Sequence, residues 1–296
     1  MTVSAEWSES PPELKMKTIR NPKELQAVLE QARRKGQSVG FVPTMGALHE
    51  GHLSLVRAAN RENDITVVSI FVNPTQFGAN EDYAKYPRVL AEDMKKLRAV
   101  KVDHLFCPSA AAMYPEGYAT FVEVRPRLAN VLCGKFRPGH FRGVATVVAK
   151  LLNIVGGCRL YLGAKDFQQA TVIRQLVHDL NMRAQVRVMP TVRERDGLAM
   201  SSRNRYLSPD ERRRALAIPR VLFAMKRSFS HKKRSFVNLK VWALRELKKN
   251  VNRVQYLEIV DPGTLETVKK RQKNMAVLTA CFVGKTRLID NVILRA

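Results

Sequence analysis

The sequence predicts an α/β protein in which a parallel sheet with crossover helices is followed by a smaller α+β domain. Three observations support this prediction. Short apolar segments alternate with segments of helical length, about 10 to 15 residues each, up to about residue 190. Residues 67–72 (VVSIFV) form a run that is apolar except for Ser69, which is typical of a parallel strand buried on both faces. Beyond residue 190, two basic helical segments precede three segments that resemble strands joined by turns.

In the first part, a short strand begins at Met16, and the remaining elements alternate in order along the chain. The predicted strands that follow it are 38–43, 67–72, 103–107, 158–162 and 184–189. The predicted helices are 22–35, 52–61, 88–99, 141–155 and 166–180. In the second part, the predicted strands are 254–261, 276–283 and 286–294. The domain prediction is therefore a loose extension over 1–15, a sheet domain over 16–190 and an α+β domain over 191–296.

Composition narrows the class of protein. With 45% hydrophobic residues the chain can build a core, and no apolar run approaches the roughly 20 residues needed to span a bilayer. The first 15 residues are polar and acidic, so they do not predict a secretory signal. The four cysteines are far apart and form no metal-binding pattern, as expected of reduced thiols. We therefore expect a cytoplasmic protein without a membrane anchor.

The net charge of +25 is concentrated near the C-terminus. Residues 211–253 contain 14 basic side chains and only two acidic ones, Glu211 and Glu246. Apolar residues recur between the charges at roughly helical spacing, which favours two amphipathic helices joined near 228–235. The simplest interpretation is a solvated basic face that also attracts anionic substrates. The alternative is contact with a polyanion or a membrane surface.

The segment 43–52 (PTMGALHEGH) follows a buried strand and precedes a helix, which is where open α/β sheets bind ligands. Gly46 and Gly51 allow a close backbone approach, and the helix start favours a phosphate. His49 and His52 can donate to phosphate oxygens. A zinc site is disfavoured because the histidines are three residues apart rather than four. Purely structural histidines are the other alternative.

Three further segments carry polar side chains that suit the same cleft. Asn73 and Gln76 follow the strand 67–72, although polar residues there are often simple turn formers. The segment 163–169 (GAKDFQQ) places a lysine at a strand-to-helix turn, where Asp166 can cap the helix. The segment 200–205 (MSSRNR) offers two hydroxyls and two guanidinium groups, which suit β- and γ-phosphates.

Taken together, the chain resembles the pantoate–β-alanine ligase family. The motifs that carry the resemblance are PTMGALHEGH, FVNPTQF, RPGHFRGV, GAKDFQQ and DGLAMSSRNRYLS, within residues 16–210, and EIVDP and TRLIDN extend it towards the C-terminus. The resemblance implies a Rossmann-like nucleotidylyltransferase domain with a small C-terminal lid. It also implies an ATP- and Mg²⁺-dependent condensation of (R)-pantoate with β-alanine, through a pantoyl-adenylate, in a homodimer.

The resemblance also implies roles for individual residues. ATP would contact Met45, Gly46, Ala47, Leu48, His49, Glu50, Gly51, His52, Gly163, Ala164, Lys165, Asp166, Val192, Met200, Ser201, Ser202 and Arg203. The catalytic set would be His52, as proton donor, with His49, Lys165 and Arg203. Gln76 and Gln169 would bind pantoate, and Gln76 would also contact β-alanine. Asp93 matches an acidic position near magnesium, although its neighbour Glu92 is often aspartate in the family.

Two departures and two rivals accompany this interpretation. Ala164 stands where the family commonly has glutamate, and the basic segment 211–253 departs most from the family pattern. One rival is a nucleotidylyltransferase that acts on a phosphorylated substrate and stops at the adenylylated product. Such an enzyme would need a basic pocket for the substrate phosphate, whereas Gln76 and Gln169 are neutral. The other is a polyanion-binding protein. Nucleic acid is disfavoured, because 211–253 has few aromatic residues and no recognition motif.

Overall fold

The computed structural model describes residues 16–79, 81–230 and 236–295. The predicted extension 1–15 and residues 231–235 of the predicted loop 228–235 lie outside the described residues. Two sheets organise the rest of the chain. One has six parallel strands in the order β1-β4-β3-β2-β5-β6, and the other has three antiparallel strands in the order β7-β8-β9. The predicted α/β class, with a second α+β region, is confirmed.

The parallel strands fall close to their predicted positions. They are β1 (Lys17–Ile19), β2 (Val39–Thr44), β3 (Ile65–Ile70), β4 (His104–Phe106), β5 (Cys158–Gly163) and β6 (Ala184–Met189). The largely apolar run 67–72 does form a central strand buried on both faces. Its neighbouring residues Val67 and Val68 are both fully buried and belong to separate apolar clusters, one on each side of the sheet.

Helices cover both faces of this sheet. In the sheet region they are α1 (Pro22–Arg34), α2 (Glu50–Glu62), α3 (Leu90–Ala99), α4 (Ala110–Met113), α5 (Pro126–Ala129), α6 (Leu132–Lys135), α7 (His140–Val155) and α8 (Phe167–Asp179). Apolar side chains of α1, α7 and α8 pack on one face, and those of α2 and α3 on the other. The five long helices confirm the prediction, whereas α4 to α6 were not predicted.

The strand order reverses between β2 and β5. The chain leaves β2 towards β3 on one side, and leaves β5 towards β6 on the other. A crevice forms at such a point because the two connections diverge, and it lies outside the carboxyl ends of the strands. The segments 43–52 and 163–169 begin at these two ends, so the fold brings both predicted phosphate-binding turns to one place.

Among its described residues, the C-terminal region has three helices rather than the two predicted. They are α9 (Pro209–Ala215), α10 (Ala217–Ser230) and α11 (Phe236–Lys248), followed by β7 (Arg253–Val260), β8 (Asn274–Val283) and β9 (Thr286–Arg295). The extra helix starts at a capping box, in which Ser208 and Glu211 each bond the other's backbone amide. The apolar residues between the basic ones are buried, for example Leu222 and Leu247 at 0% exposure. The predicted amphipathic character is confirmed.

The antiparallel sheet has apolar contacts in two directions. Most of its buried side chains pack with α10 and α11 in their own cluster. Three others belong to the large cluster under α7 and α8: Val260, Ala276 and Leu278. Leu265, in the connection between β7 and β8, joins the same cluster. The predicted boundary near residue 190 stays a prediction, since packing continues across it. Within the described ranges, no helix is long and apolar enough to cross a bilayer.

Candidate active site

A cavity of about 210 Å³ opens at the carboxyl ends of β2 and β5. Its lining combines His49, His52, Lys165, Gln76 and Gln169 with apolar side chains of α7. A larger cavity of about 980 Å³ lies beside it, between the two sheets, and shares Lys165, Asp166 and Gln169 with it. The smaller cavity holds the groups that the sequence singled out, so the two connected spaces together form the candidate site.

The two histidines cap the start of α2 reciprocally. His49 accepts the Gly51 amide at Nδ1, at 3.1 Å, while His52 accepts the His49 amide at Nδ1, at 3.3 Å. The ring centroids are 4.0 Å apart. A ring nitrogen that accepts a hydrogen bond carries no proton, so each neutral imidazole keeps its proton on Nε2. Each ring is thus fixed as a hydrogen-bond donor on its free side.

Both imidazoles are neutral at physiological pH. Burial, and then the charge of Lys165, lower the pKa of His49 to about 4. Burial and the neighbouring His49 lower the pKa of His52 well below its usual value. In the ligand-free protein His52 therefore donates hydrogen bonds rather than a whole proton. An arriving triphosphate would oppose the effect of Lys165 and raise both pKa values.

Gly51 is required by the close packing of this turn. A Cβ built there would lie 2.9 Å from the ring of His49, closer than side chains tolerate. Any larger residue would displace the ring from its capping position. The sequence interpretation, that Gly51 permits a close approach, is therefore refined: the group that approaches it is the histidine.

The turn before α2 is anchored by Asp93. The carboxylate, on α3 and 1% exposed, accepts the amide of Ala47 at 2.8 Å and the amide of Leu48 at 2.7 Å. Lys96 adds a bond to the Leu48 carbonyl at 2.7 Å. Burial raises the pKa of Asp93. The turn is thus held by buried bonds, and the two amides are already engaged.

These contacts bear on the predicted magnesium site. Both oxygens of Asp93 are already engaged by the backbone, and the exposed Glu92 does not share its environment. Within the part of the chain that the structure describes, no group of three or more His, Cys, Asp or Glu side chains could hold a metal. The residues present therefore do not fit a metal held by the protein alone.

The Gln76 amide is oriented by its neighbours. Asn73, 1% exposed, donates to Gln76 Oε1 at 3.1 Å, which leaves Nε2 directed at the Met45 sulfur, 3.0 Å away, in the cavity. His140 Nδ1 donates to the Gln76 carbonyl at 2.8 Å. Burial lowers the pKa of His140 to about 4, so its Nε2 is free to accept from Arg137 at 2.9 Å. Gln76 therefore presents an uncharged donor.

The turn 163–169 brings its two key side chains to the cavity. Lys165 Nζ lies 3.7 Å from Asp166 Oδ2, and its charge contributes to the low pKa of both histidines. Gln169 lines both cavities. The interpretation of Asp166 as the cap of α8 is wrong: it is the N-cap residue, but its side chain makes no capping bond. Asp166 lines the cavity instead.

The segment 200–206 is held differently. Arg203 makes two bonds to Asp82, at 2.9 and 3.2 Å, and both side chains are about 30% exposed (31% and 28%). Ser202 bonds to the Tyr86 hydroxyl, while the Ser201 hydroxyl accepts the Arg203 amide at 3.3 Å. An ion pair with a carboxylate thus occupies the guanidinium that was predicted to bind phosphate.

The structure brings most of the predicted site residues together. The smaller cavity is lined by Met45, His49, Gly51, His52, Gln76, Gly163, Lys165, Asp166, Gln169, Val192 and Met200. Ser201 and Arg203 line the larger cavity. Six predicted ATP contacts line neither: Gly46, Ala47, Leu48, Glu50, Ala164 and Ser202. The reasons are physical, since Ala47 and Leu48 are buried behind the turn and Glu50 pairs with Arg57 on the outside of α2.

Sequence reasoning missed a charged cluster beside Gln76. Arg137 makes two bonds to Glu81, and it connects that carboxylate to His140 and to the Gln76 carbonyl. The motif RPGHFRGV contains two of these residues, but their spacing alone indicates no role for them. Asp82 gave no signal, because its partner Arg203 lies 121 positions further along the chain.

A parallel sheet with histidines and a lysine at its switch point is typical of α/β proteins that bind a nucleotide by its phosphates. Comparison with known proteins gives the family. The model of the family described as pantoate-beta-alanine ligase matches residues 17–293. The chain belongs to this family.

Individual relatives agree over nearly the whole chain. A protein named pantothenate synthetase from Thermodesulfovibrio yellowstonii is 51% identical over 94% of this chain and 99% of its own. Pantothenate synthetase 1 from Bradyrhizobium diazoefficiens is 53% identical over 94% and 98%. The crystal structure of pantothenate synthetase from Thermus thermophilus superposes with a TM-score of 0.89 at 45% identity, covering 94% of this chain and 99% of that one.

One solved relative was crystallised with ligands. The pantoate-beta-alanine ligase of Francisella tularensis, described as complexed with beta-gamma ATP and beta-alanine, has a TM-score of 0.79 and 39% identity. The match covers 94% of this chain and 98% of that one.

Proposed function

We propose that this protein condenses (R)-pantoate with β-alanine to give pantothenate, splitting ATP to AMP and diphosphate through a pantoyl-adenylate. The observation that carries the proposal is the composition of the cavity at the carboxyl ends of β2 and β5. Two fixed neutral imidazole donors and Lys165 suit phosphates, while Gln76 and Gln169 suit a small hydroxy acid. Membership of the pantoate–β-alanine ligase family supports the same reaction.

In the first step a pantoate carboxylate oxygen attacks the α-phosphorus of ATP. A new O–P bond forms while the bond from the α-phosphorus to the bridging oxygen breaks, and diphosphate leaves with that electron pair. Donors that are already in place stabilise the charge that develops on the phosphates. His49, His52 and Lys165 are the nearest candidates, with Ser201 and Arg203 closing on the leaving diphosphate.

In the second step the amine of β-alanine attacks the acyl carbon of the adenylate. The C–O bond to AMP breaks, AMP leaves with that electron pair, the amide forms, and the amine releases one proton to solvent. Gln76 would contact both acids, and its Nε2, directed at the Met45 sulfur in the cavity while Asn73 holds its oxygen, supports this role. Closure of the C-terminal region over the larger cavity would keep water from the mixed anhydride.

Magnesium belongs to this proposal as part of the nucleotide substrate. Mg²⁺ is commonly bound through substrate phosphates with only one or two protein carboxylates and several waters. Asp166 lines the cavity with a half-exposed carboxylate, so it is the better candidate than Asp93 for a contact with the hydrated ion. No step of the proposed mechanism depends on this contact.

Diphosphate release distinguishes this reaction from its nearest rival. The expected result is one equivalent of diphosphate per site with ATP, Mg²⁺ and pantoate, and sustained release once β-alanine is added. β-Alanine alone should give none. An adenylyltransferase that stops at the first product would release diphosphate repeatedly without β-alanine, and that result would refute the ligase proposal.

The pantoate pocket can be tested separately. The Gln169 amide faces the cavity, so Gln169→Ala should raise the KM for pantoate about tenfold or more while the KM for ATP changes little. The matched control is Gln185→Ala, which alters an exposed amide on β6. An equal rise in both Michaelis constants for Gln169→Ala would contradict a pantoate-specific role.

The family resemblance further suggests a homodimer in the cytoplasm. Neither feature enters the mechanism above. Light scattering at several protein concentrations would test the dimer. A mass equal to one chain at all concentrations would refute it.

A further inference from the structure

The turn between β5 and α8, which carries Lys165, is held by a side chain from the other sheet. Asn291, on β9, is 6% exposed and directs its amide at two consecutive carbonyls. Its Nδ2 donates to Ala164 O at 2.9 Å and to Lys165 O at 3.0 Å. An amide nitrogen carries two hydrogens, so one side chain can make both bonds at once.

This turn has no side-chain cap of its own. Neither the 3-10 turn at Ala164–Asp166 nor α8, which starts at Phe167, has a capping bond from its N-cap side chain. The turn 43–52, by contrast, is fixed by a capping box and by Asp93. The bonds from Asn291 therefore supply a restraint that local sequence does not.

The residue before Asn291 supports a second ATP-site segment. Asp290, with a side chain 2% exposed, accepts two bonds from the guanidinium of Arg193, at 2.7 and 2.8 Å. Arg193 lies in a hairpin that closes where the Met200 amide donates to the Val192 carbonyl. Two adjacent positions on β9 thus hold both the Lys165 turn and the hairpin leading to Arg203.

We infer that Asn291 is a positioning residue for the triphosphate site. It acts through Lys165: by fixing the carbonyls of the turn, it keeps Nζ directed at the cavity that the histidines line. The inference rests on the proposed function, in which Lys165 contacts the phosphates. A buried amide on a strand could instead serve only the fold, so the test must separate positioning from stability.

The test is a double-mutant cycle with single-turnover adenylate formation as the readout. Asn291→Leu has nearly the same shape but no donors. It should slow the reaction about 10- to 100-fold, since small misplacements of reacting groups have effects of this size. The KM for pantoate should stay within about twofold, because Gln76 and Gln169 are untouched. In a Lys165→Ala background, Asn291→Leu should slow the reaction no further.

Two further variants keep each outcome decisive. Asn274→Leu makes the same change at an exposed site on β8 and should match the unmodified protein. Asn291→Asp keeps the side-chain shape and removes the donors, so it should also slow the reaction. It provides the test if Asn291→Leu folds poorly. If both Asn291 variants unfold where Asn274→Leu folds, Asn291 serves the fold and the inference fails.

The proposed function and this inference fail in different ways. A near-normal rate for Lys165→Ala would remove Lys165 from the phosphate site and refute that part of the proposed function. A slow Lys165→Ala with a near-normal Asn291→Leu would refute only the positioning role. A further loss of rate when the two changes are combined would also refute it, because Asn291 would then act by a route other than Lys165.

Discussion

The turn before α2 and the 201–203 segment, both expected to contact the triphosphate, are held in place by different kinds of interaction. The turn before α2 is fixed by uncharged or buried bonds: two histidine caps, two amides on Asp93 and a lysine on a carbonyl. The 201–203 segment is held across the larger cavity by a partly exposed ion pair between Arg203 and Asp82. Buried bonds to fixed dipoles persist on ligand binding, whereas a partly exposed ion pair is open to competition from another anion.

This difference assigns the two segments different tasks. The first has little left to reorganise when ATP arrives, which is the condition for strong electrostatic stabilisation of a transition state. The second must exchange one anionic partner for another, because the phosphates compete with Asp82 for the same guanidinium. We therefore expect the first segment to govern the rate of chemistry and the second to tune nucleotide binding. Four experiments test the comparison, in order of decreasing effect.

The largest effect should come from His52→Ala. This change removes both a donor and one half of the capping box, so adenylate formation should slow about 100- to 1000-fold. The measurement is single-turnover formation of the adenylate from ATP and pantoate. His178→Ala, which alters a histidine with an 84% exposed side chain on α8, is the matched control and should react normally. A near-normal rate for His52→Ala would remove this turn from the chemistry.

Asp93→Asn should weaken the anchor of the same turn. An amide can accept from only one of the two backbone groups, and its own hydrogens oppose the other, so we expect a loss of about 1–3 kcal/mol in the free energy of unfolding. Adenylate formation should slow, with an unchanged requirement for Mg²⁺. Glu92→Gln, at the exposed neighbouring position, should change neither quantity. A raised Mg²⁺ requirement in Asp93→Asn alone would restore Asp93 as a magnesium ligand.

Acidification should destabilise the protein through its buried histidines. The pKa of His49 and that of His140 are lowered to about 4, whereas in the unfolded chain such groups protonate near their usual value, about 6.5. The unfolded state therefore binds more protons below that value, and stability falls as pH drops from about 6.5 towards 4. Urea unfolding at pH 7.5, 6.0 and 5.0 measures the slope.

Replacing His140 alone tests the cause of this dependence of stability on pH. His140→Gln should flatten it, because one buried group no longer titrates on unfolding, whereas His178→Gln at the surface should leave it as it is. Equal slopes in all three proteins would show that His140 does not contribute.

The smallest effect should come from Asp82→Asn. Once the Asp82 carboxylate is removed, it no longer competes with the phosphates of ATP for Arg203. The KM for ATP should therefore fall about two- to fivefold, while the melting temperature changes little. The matched control is Asp210→Asn, which breaks an exposed pair with Arg213 away from both cavities. A KM that rises tenfold in Asp82→Asn would mean that this carboxylate orients Arg203 for ATP, and the two segments would then be held for the same purpose.

Periodicity predicted the long elements because each buries a face of its own. The strand 67–72 and the helices 22–35 and 141–155 agree with β3, α1 and α7 within about two residues at each end. The helices α4 to α6 have four residues each, too short for any period to register. The helix α9 starts at the capping box of Ser208 and Glu211. The arginines that follow show no apolar periodicity, so the sequence analysis did not separate this helix from the next.

The site was predictable where ligand chemistry is local in sequence. The histidine turn and the Lys165 turn each stand at a strand end, so topology alone brings them together. The resemblance alone links Asp93 to magnesium, and the sequence gives no hint of its backbone partners, one of which is 45 positions away. The Arg203 partner, Asp82, and the support from Asn291 are equally remote, and such contacts exist only once the chain is folded.

The large apolar cluster under α7 and α8 includes Val260, Leu265, Ala276 and Leu278 of the C-terminal region. A core shared in this way couples the melting of both regions, since neither can lose its packing without exposing the other's. Denaturation should consequently be one cooperative transition, seen at the same midpoint by probes in either sheet. A substitution in one region's part of this shared core must therefore be matched by substitutions in the other region, so neither sheet can be replaced independently during evolution.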